Sequence, residues 1–151
     1  MTGTDLRHTI RMTDAEASAF LDQGHTLICA TNGPRGRPHV MPLWYTLRDR
    51  ELWGWTYAKS QKARNLERDP RATVEVEAGE TYFELRGIML ECDVVIHRDP
   101  GLVLTVGTEL AARYPDPGDT PEVLRRMAAK RVALQFVERR RVTWDHRKLE
   151  H

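Results

Sequence analysis

Trp53-Gly54-Trp55-Thr56-Tyr57-Ala58-Lys59-Ser60-Gln61-Lys62-Ala63-Arg64-Asn65-Leu66-Glu67-Arg68-Asp69-Pro70 reads as a short aromatic strand running into a basic helix. Ser60 is placed to cap the orphan backbone N–H groups of that helix, and Asp69-Pro70 stops it. The positive end of the helix dipole then faces whatever precedes the cap. Lys59 and Lys62 fall in or beside the first turn. Two ammonium groups, a hydroxyl and free backbone donors at a helix N-terminus make an anion site, suited to a phosphate of a bound nucleotide or cofactor. The same pattern also occurs on solvated helices, where first-turn lysines simply oppose the dipole.

Outward from this segment the chain alternates strands and helices. Thr13-Asp14-Ala15-Glu16 is a capping box, and Ala17, Phe20 and Leu21 give a short amphipathic helix ending before Gly24. Thr26 to Thr31 predicts a strand, Asn32-Gly33-Pro34-Arg35-Gly36 a turn, and Pro38 to Leu47 the second strand of a hairpin. A turn at Arg48-Asp49-Arg50 leads to a third strand, Glu51 to Tyr57. Beyond the Ser60–Arg68 helix, Ala72–Glu77 alternates valines with polar residues, as a half-buried strand does. Tyr82 to His97 predicts one or two long strands with Gly87 as a candidate bulge. Asp99-Pro100 opens a helix running to about Tyr114. Pro121 to Ala129 predicts another, followed by strands at Val132–Glu138 and Arg141–Trp144. About six antiparallel strands with inserted helices predict an α+β, mainly β fold: a small barrel with peripheral helices.

With 151 residues, one domain is the expectation, spanning residues 1–148. Leu149-Glu150-His151 resembles the start of an expression tag. A chain 40% hydrophobic and 30% charged has the composition of a folded globular protein. The net charge of +1 provides no global field to recruit nucleic acid or an anionic membrane. There is no transmembrane-length apolar run, and Met1 to Ile10 lacks the apolar core of a signal peptide, so a cytoplasmic location is expected. Cys29 and Cys92 lie in strand-like runs without CxxC spacing and read as buried thiols. The six histidines contain no HExxH pair. Lysine occurs only at 59, 62, 130 and 148, which makes the Lys59/Lys62 pair stand out in an arginine-rich chain.

Three runs carry a resemblance to a known family. They are Arg35-Gly36-Arg37-Pro38-His39-Val40-Met41-Pro42-Leu43-Trp44-Tyr45, Lys59-Ser60-Gln61-Lys62-Ala63-Arg64-Asn65-Leu66 with Asp69-Pro70, and Leu85-Arg86-Gly87 before a strand. In this order they resemble the split β-barrel, pyridoxamine 5'-phosphate oxidase-like flavoproteins, and within them the flavin/deazaflavin oxidoreductases that include users of coenzyme F-420. The resemblance runs from about Leu27 to Asp99 and more loosely to Val142.

It implies an FMN-binding type of split barrel and a homodimer with cofactor sites at the interface. It implies that Met41, Pro42, Leu43 and Trp44 line an isoalloxazine-type ring, mainly through main chain. Thr56, Tyr57 and Ala58 match the strand end beside the ribityl chain. Lys59, Ser60 and Lys62 match the phosphate positions, and Asn65 matches a position near the same chain. Pro42 has no N–H, so ring contacts there fall to its carbonyl or its neighbours. Trp53 reads as core, and Trp44 as either core or ring-lining. His39 reads as a surface histidine, Arg86 as a structural ion-pair partner, and Asp145-His146-Arg147 as a tail that reaches a neighbouring site or stays mobile.

The activity this implies is hydride transfer between a reduced deazaflavin or flavin and an unsaturated small molecule, the cofactor supplying the chemistry. F-420 is the favoured cofactor and FMN the alternative, since both carry a phosphate-bearing side chain. The competing class is a cofactor-binding protein or sensor without turnover. Pyridoxamine-phosphate oxidation is a third reading, weakened because the tail lacks a match to that enzyme's C-terminal substrate segment. No acid–base dyad, metal site or nucleic-acid motif is visible.

Overall fold

The computed structural model describes residues 3–149, with the side chains of residues 3–5 excepted. The elements run α1 (Gly3–Thr9), α2 (Asp14–Gln23), β1 (Thr26–Asn32), β2 (Pro38–Trp44), β3 (Thr46–Arg48), β4 (Glu51–Tyr57), α3 (Gln61–Arg68), β5 (Arg71–Ala78), β6 (Arg86–His97), α4 (Pro100–Arg113), α5 (Pro121–Ala128) and β7 (Arg131–Asp145). The strands form one antiparallel sheet in the order β2-β1-β5-β6-β7-β4-β3. It curls so that the end of β2 comes back against β4. A Cβ at Gly54 of β4 would stand 2.9 Å from Leu43 Cδ2 and 3.2 Å from the Trp44 carbonyl, so only glycine lets the two strands approach this closely.

Two cores lie on opposite faces of the sheet. The barrel interior is filled by Leu27, Cys29, Tyr45, Leu52, Val74, Val76, Ile88, Leu134 and Phe136, among others. A second cluster joins Trp53 and Ala133 to Val103, Val106, Leu110 and Tyr114 of α4 and its C-cap. Strand alternation separates them: Leu52 points inward and Trp53 outward from the same strand. Arg113 fastens α4 to the end of α2, its guanidinium donating to the carbonyls of Leu21 at 2.9 Å and Gly24 at 2.7 Å.

The capping box at Thr13 and Glu16 is present, with both reciprocal bonds made. Asp99 and Thr120 cap helices that begin with proline. Trp53 is core, as expected. Elsewhere the structure departs from the sequence reading. Seven strands replace about six, because the expected Pro38–Leu47 strand breaks at Tyr45 into β2 and β3. Tyr45 is fully buried and its hydroxyl donates to the Leu21 carbonyl at 2.6 Å, which draws it out of the ladder. The two expected C-terminal strands are one, β7, continuous over 15 residues.

The bulge lies at Glu91/Cys92 rather than Gly87, where Glu91 faces Arg140 and Cys92 faces Glu138, leaving Arg139 as the extra residue. Gly87 stays in register beneath the Trp144 ring. Tyr82–Glu84 is a 3₁₀ turn ahead of β6. Helix α1 has no counterpart in the sequence reading.

Candidate functional site

A cleft of about 360 Å³ opens where the end of β2 faces the end of β4, lined by Thr26, Pro42, Leu43, Trp44, Trp55, Thr56, Tyr57 and Arg131. Five of these are residues the sequence analysis nominated: Pro42, Leu43, Trp44, Thr56 and Tyr57. Strand β2 is the sheet's edge, so its main chain on the side away from β1 is not paired within the sheet. Proline at position 42 removes one donor from such an edge. Trp44 is 52% exposed, which places it on the cleft wall and not in the core. Its ring is braced from behind by Tyr114, stacked at 4.4 Å, and edge-on by His25. Met41 is exposed on β2, one residue beyond the lining.

The residues expected to form an anion site lie on the next segment. Ser60 caps α3, its Oγ accepting from Ala63 N at 3.0 Å, and Thr56 Oγ1 donates to the same oxygen at 3.1 Å. That leaves the Ser60 proton and the N–H groups of Gln61 and Lys62 as donors. Ala58 is half-buried and joined to β7, its N–H donating to the Lys130 carbonyl at 2.9 Å. Lys59 is exposed. Lys62 is only 7% exposed. Burial pulls its ammonium below the usual lysine range, with the Cys29 thiol opposing that shift. Among the described residues it meets no carboxylate, which is unusual for a buried cation.

Asn65 is fully buried, and its amide is engaged: Nδ2 donates to Thr31 Oγ1 at 3.1 Å, and Oδ1 accepts from Gln61 Nε2 at 2.7 Å. It therefore ties α3 to β1 and holds Lys62 one helical turn away in place. His39, half-buried rather than exposed, pairs across the ladder with Thr31, and its Nδ1 is buried with no partner among the described residues. Among the described residues, Lys62 thus lacks a counter-ion and His39 Nδ1 lacks a partner, and each carries a cost that a bound partner would offset.

Sequence reasoning missed Thr26, Trp55 and Arg131. Arg131 lies over the rings of Trp55 at 5.0 Å and Tyr57 at 4.1 Å, and its NH1 donates to the Met127 carbonyl at 3.0 Å. The pairing of β7 with β4, which sets Arg131 opposite Tyr57, leaves no trace in the local sequence pattern.

The C-terminal segment turns back on its own subunit. Asp145 is buried and paired with Arg147 at 2.9 Å, and His146 Nδ1 lies 2.7 Å from the Tyr82 carbonyl. The Arg147 hydrogen bonds hold the Asp145 carboxyl below its ordinary range. Arg86 donates to the Glu84 carbonyl at 2.9 Å instead of forming an ion pair. Leu149 follows that turn, whereas Glu150 and His151 lie outside the described residues. Among the described residues there is no metal-ligand cluster, and no helix is long and apolar enough to cross a membrane.

Residues 13–143 match the family described as pyridoxamine 5'-phosphate oxidase. Among solved structures, a conserved hypothetical protein, Rv2991, from Mycobacterium tuberculosis is 41% identical with a TM-score of 0.89, over 96% of this chain and 93% of that one. An F420 reductase is 23% identical with a TM-score of 0.68, over 82% of this chain and 94% of that one. The heme storage protein HutZ from Vibrio cholerae is 18% identical with a TM-score of 0.70, over 87% and 96%. The last two likenesses are of fold. No curated protein matches the chain.

Proposed function

The chain belongs to the pyridoxamine 5'-phosphate oxidase family, and from that premise we propose that it is an oxidoreductase whose β2–β4 cleft holds a flavin-type cofactor. We favour coenzyme F-420, with FMN as the second reading, and an unsaturated small molecule as acceptor. The observation that carries this is Lys62: a buried ammonium without a counter-ion among the described residues, at the Ser60-capped start of α3, which follows directly on the Trp55–Tyr57 wall of the cleft.

The residues present fit such a group. Lys59, Lys62 and the Ser60 hydroxyl would hold its phosphate, with Thr56 fixing the Ser60 rotamer. The edge main chain of Met41 to Trp44 would read the polar rim of its ring. When bound, the cofactor supplies two-electron hydride chemistry. Pro42, Leu43, Trp44 and Trp55 give the cleft an apolar wall that would shield one side of a bound ring from water, which favours hydride transfer. Choosing F-420 over FMN rests on the three runs taken together, which resemble the deazaflavin branch; the Lys59/Lys62 pair alone suits either cofactor.

The protein works, in this reading, as a homodimer. Ile28, Val40 and Trp44 are exposed, with Pro42 beside them, on one face of the β1–β2 edge. A contiguous apolar edge of this kind is normally covered by a partner. Light scattering that finds a stable monomer at micromolar concentration, cofactor bound, would contradict this.

Titration of the full chain with F-420 and with FMN, followed by fluorescence, tests the cofactor. Tight F-420 binding, with oxidation of the reduced form only when an acceptor is added, is the expected result. A yellow protein that retains FMN and whose reduced form is reoxidised quickly by air would transfer the reading to FMN. Replacing Lys59 and Lys62 together with alanine should weaken cofactor binding by about 1–3 kcal/mol per lost charged hydrogen bond. Unchanged affinity in that double variant removes the phosphate assignment.

A further inference from the structure

Helix α3 and Arg131 approach opposite faces of β4. Thr56 points inward to Ser60 and toward α3, whereas Trp55 and Tyr57 point outward, where Arg131 lies on their rings. The two core clusters confirm the phase: Leu52 and Val132 belong to the interior cluster, Trp53 and Ala133 to the outer one. Arg131 therefore stands apart from the Ser60–Lys62 anion site, on the aromatic wall.

Only one of its bonds is spent locally, on the Met127 carbonyl. Its guanidinium carbon stands 4.1 Å from the Tyr57 ring centre and 5.0 Å from that of Trp55, and among the described residues no carboxylate pairs with it. A planar fork held by two ring contacts and one hydrogen bond loses less side-chain freedom on binding a carboxylate than a free one. Besides Thr26 and Thr56, the rest of the cleft lining is aromatic or apolar: Pro42, Leu43, Trp44, Trp55 and Tyr57.

We propose that Arg131 is a specificity residue that selects acceptors carrying a carboxylate, so that the substrate class is a planar unsaturated or aromatic acid. This rests on the oxidoreductase reading above for its place in a reaction. Its binding part stands without that reading. The Arg131 fork engages the carboxylate, and the outward side of the cleft at Trp55 and Tyr57 receives the apolar body.

Cinnamate and methyl cinnamate, which differ only in the negative charge, serve as probes. Each is titrated by calorimetry into the full chain, with and without F-420 or FMN, for wild type, Arg131→Gln and Arg131→Lys. Wild type should bind the acid at least tenfold more tightly than the ester, with the preference shrinking as salt is raised. Arg131→Gln should abolish the preference, and Arg131→Lys should keep part of it. An Arg131→Gln protein, shown folded by an unchanged thermal midpoint, that keeps the preference overturns the proposal. So does a wild type that binds neither probe or both equally, or a tenfold loss of F-420 or FMN affinity in Arg131→Gln, which would assign the arginine to the cofactor. A chain that binds neither cofactor yet shows the Arg131-dependent preference would overturn the oxidoreductase reading and leave the acid site standing.

Discussion

The indole of Trp44 lies flat on the phenol ring of Tyr114, with centroids 4.4 Å apart and planes 6° from parallel. This contact joins the end of β2, which forms the cleft wall, to the C-cap of α4. The Tyr114 hydroxyl adds to it: it donates to the His25 carbonyl and accepts from the Tyr45 N–H at 3.3 Å. The residue that breaks the strand and the residue that walls the cleft are thus held by one side chain.

Tyr114→Phe keeps the stack and deletes the hydroxyl. It strands the buried Tyr45 N–H and should cost about 1–3 kcal/mol in urea unfolding. Trp44→Ala removes a half-exposed ring and should cost less, about 0.5–1.5 kcal/mol, while impairing ligand binding at the cleft. A Tyr114→Phe protein as stable as wild type would show that the hydroxyl contributes nothing.

Lys62 should make the ligand-free protein more stable as pH rises. Its folded pKa lies below that of an exposed lysine because of burial. Between the folded and unfolded values the unfolded chain binds more protons, so unfolding becomes harder with rising pH through that window. Below the folded value the full penalty persists. Lys62→Met should therefore raise the thermal midpoint of the ligand-free protein near neutral pH, by on the order of 1 kcal/mol in stability, while weakening binding of a phosphate-bearing ligand. A fall in the midpoint would show that the ammonium has a partner after all.

Gly107 of α4 lies directly beneath the Trp55 ring, where a Cβ would collide with it. Gly107→Ala should destabilise by about 1–3 kcal/mol through overpacking and tilt Trp55 within the cleft. Trp55 is half-buried, so a shift in intrinsic fluorescence should accompany the loss. Wild-type stability together with an unshifted spectrum would exclude the clash.

Cys29 and Cys92 should resist labelling. Burial pushes the Cys29 thiol up to about 11, against the opposing charge of Lys62, and burial with the nearby Glu138 charge pushes Cys92 up to about 12. Thiolate is then scarce at neutral pH. The unfolded thiols ionise near pH 8.5, so these two groups cost stability as pH rises above that value. Reaction with a disulfide reagent should follow global unfolding. Rapid native-state labelling would refute their burial.

Much of this fold is legible because its punctuation is local. Thr13, Ser60, Asp99 and Thr120 each accept a bond from the helix they begin, and such caps appear in sequence as a polar residue before a helical pattern. What stays hidden depends on distant partners. The break at Tyr45 follows from Leu21 and Tyr114, which are remote in sequence. The bulge sits where the long β7 skips Arg139, and a glycine signal at position 87 pointed elsewhere. The site divides in the same way. Pro42 to Trp44 and Thr56 to Lys62 are contiguous runs with recognisable chemistry, whereas Thr26 and Arg131 reach the cleft through ladder pairing alone.

Strand β7 lies between β4 and β6, and the Asp145 N–H at its end donates to the Ile10 carbonyl at 2.7 Å. During synthesis β4 and β6 emerge well before it. Until β7 arrives, each presents a row of unpaired amides to the surroundings. The nascent chain therefore passes through a stage with two bare ladders, when it is open to chaperone capture or to mispairing with a neighbouring copy on the same messenger. Slowing translation just upstream of residue 131 should lengthen that exposure and lower the yield of folded protein.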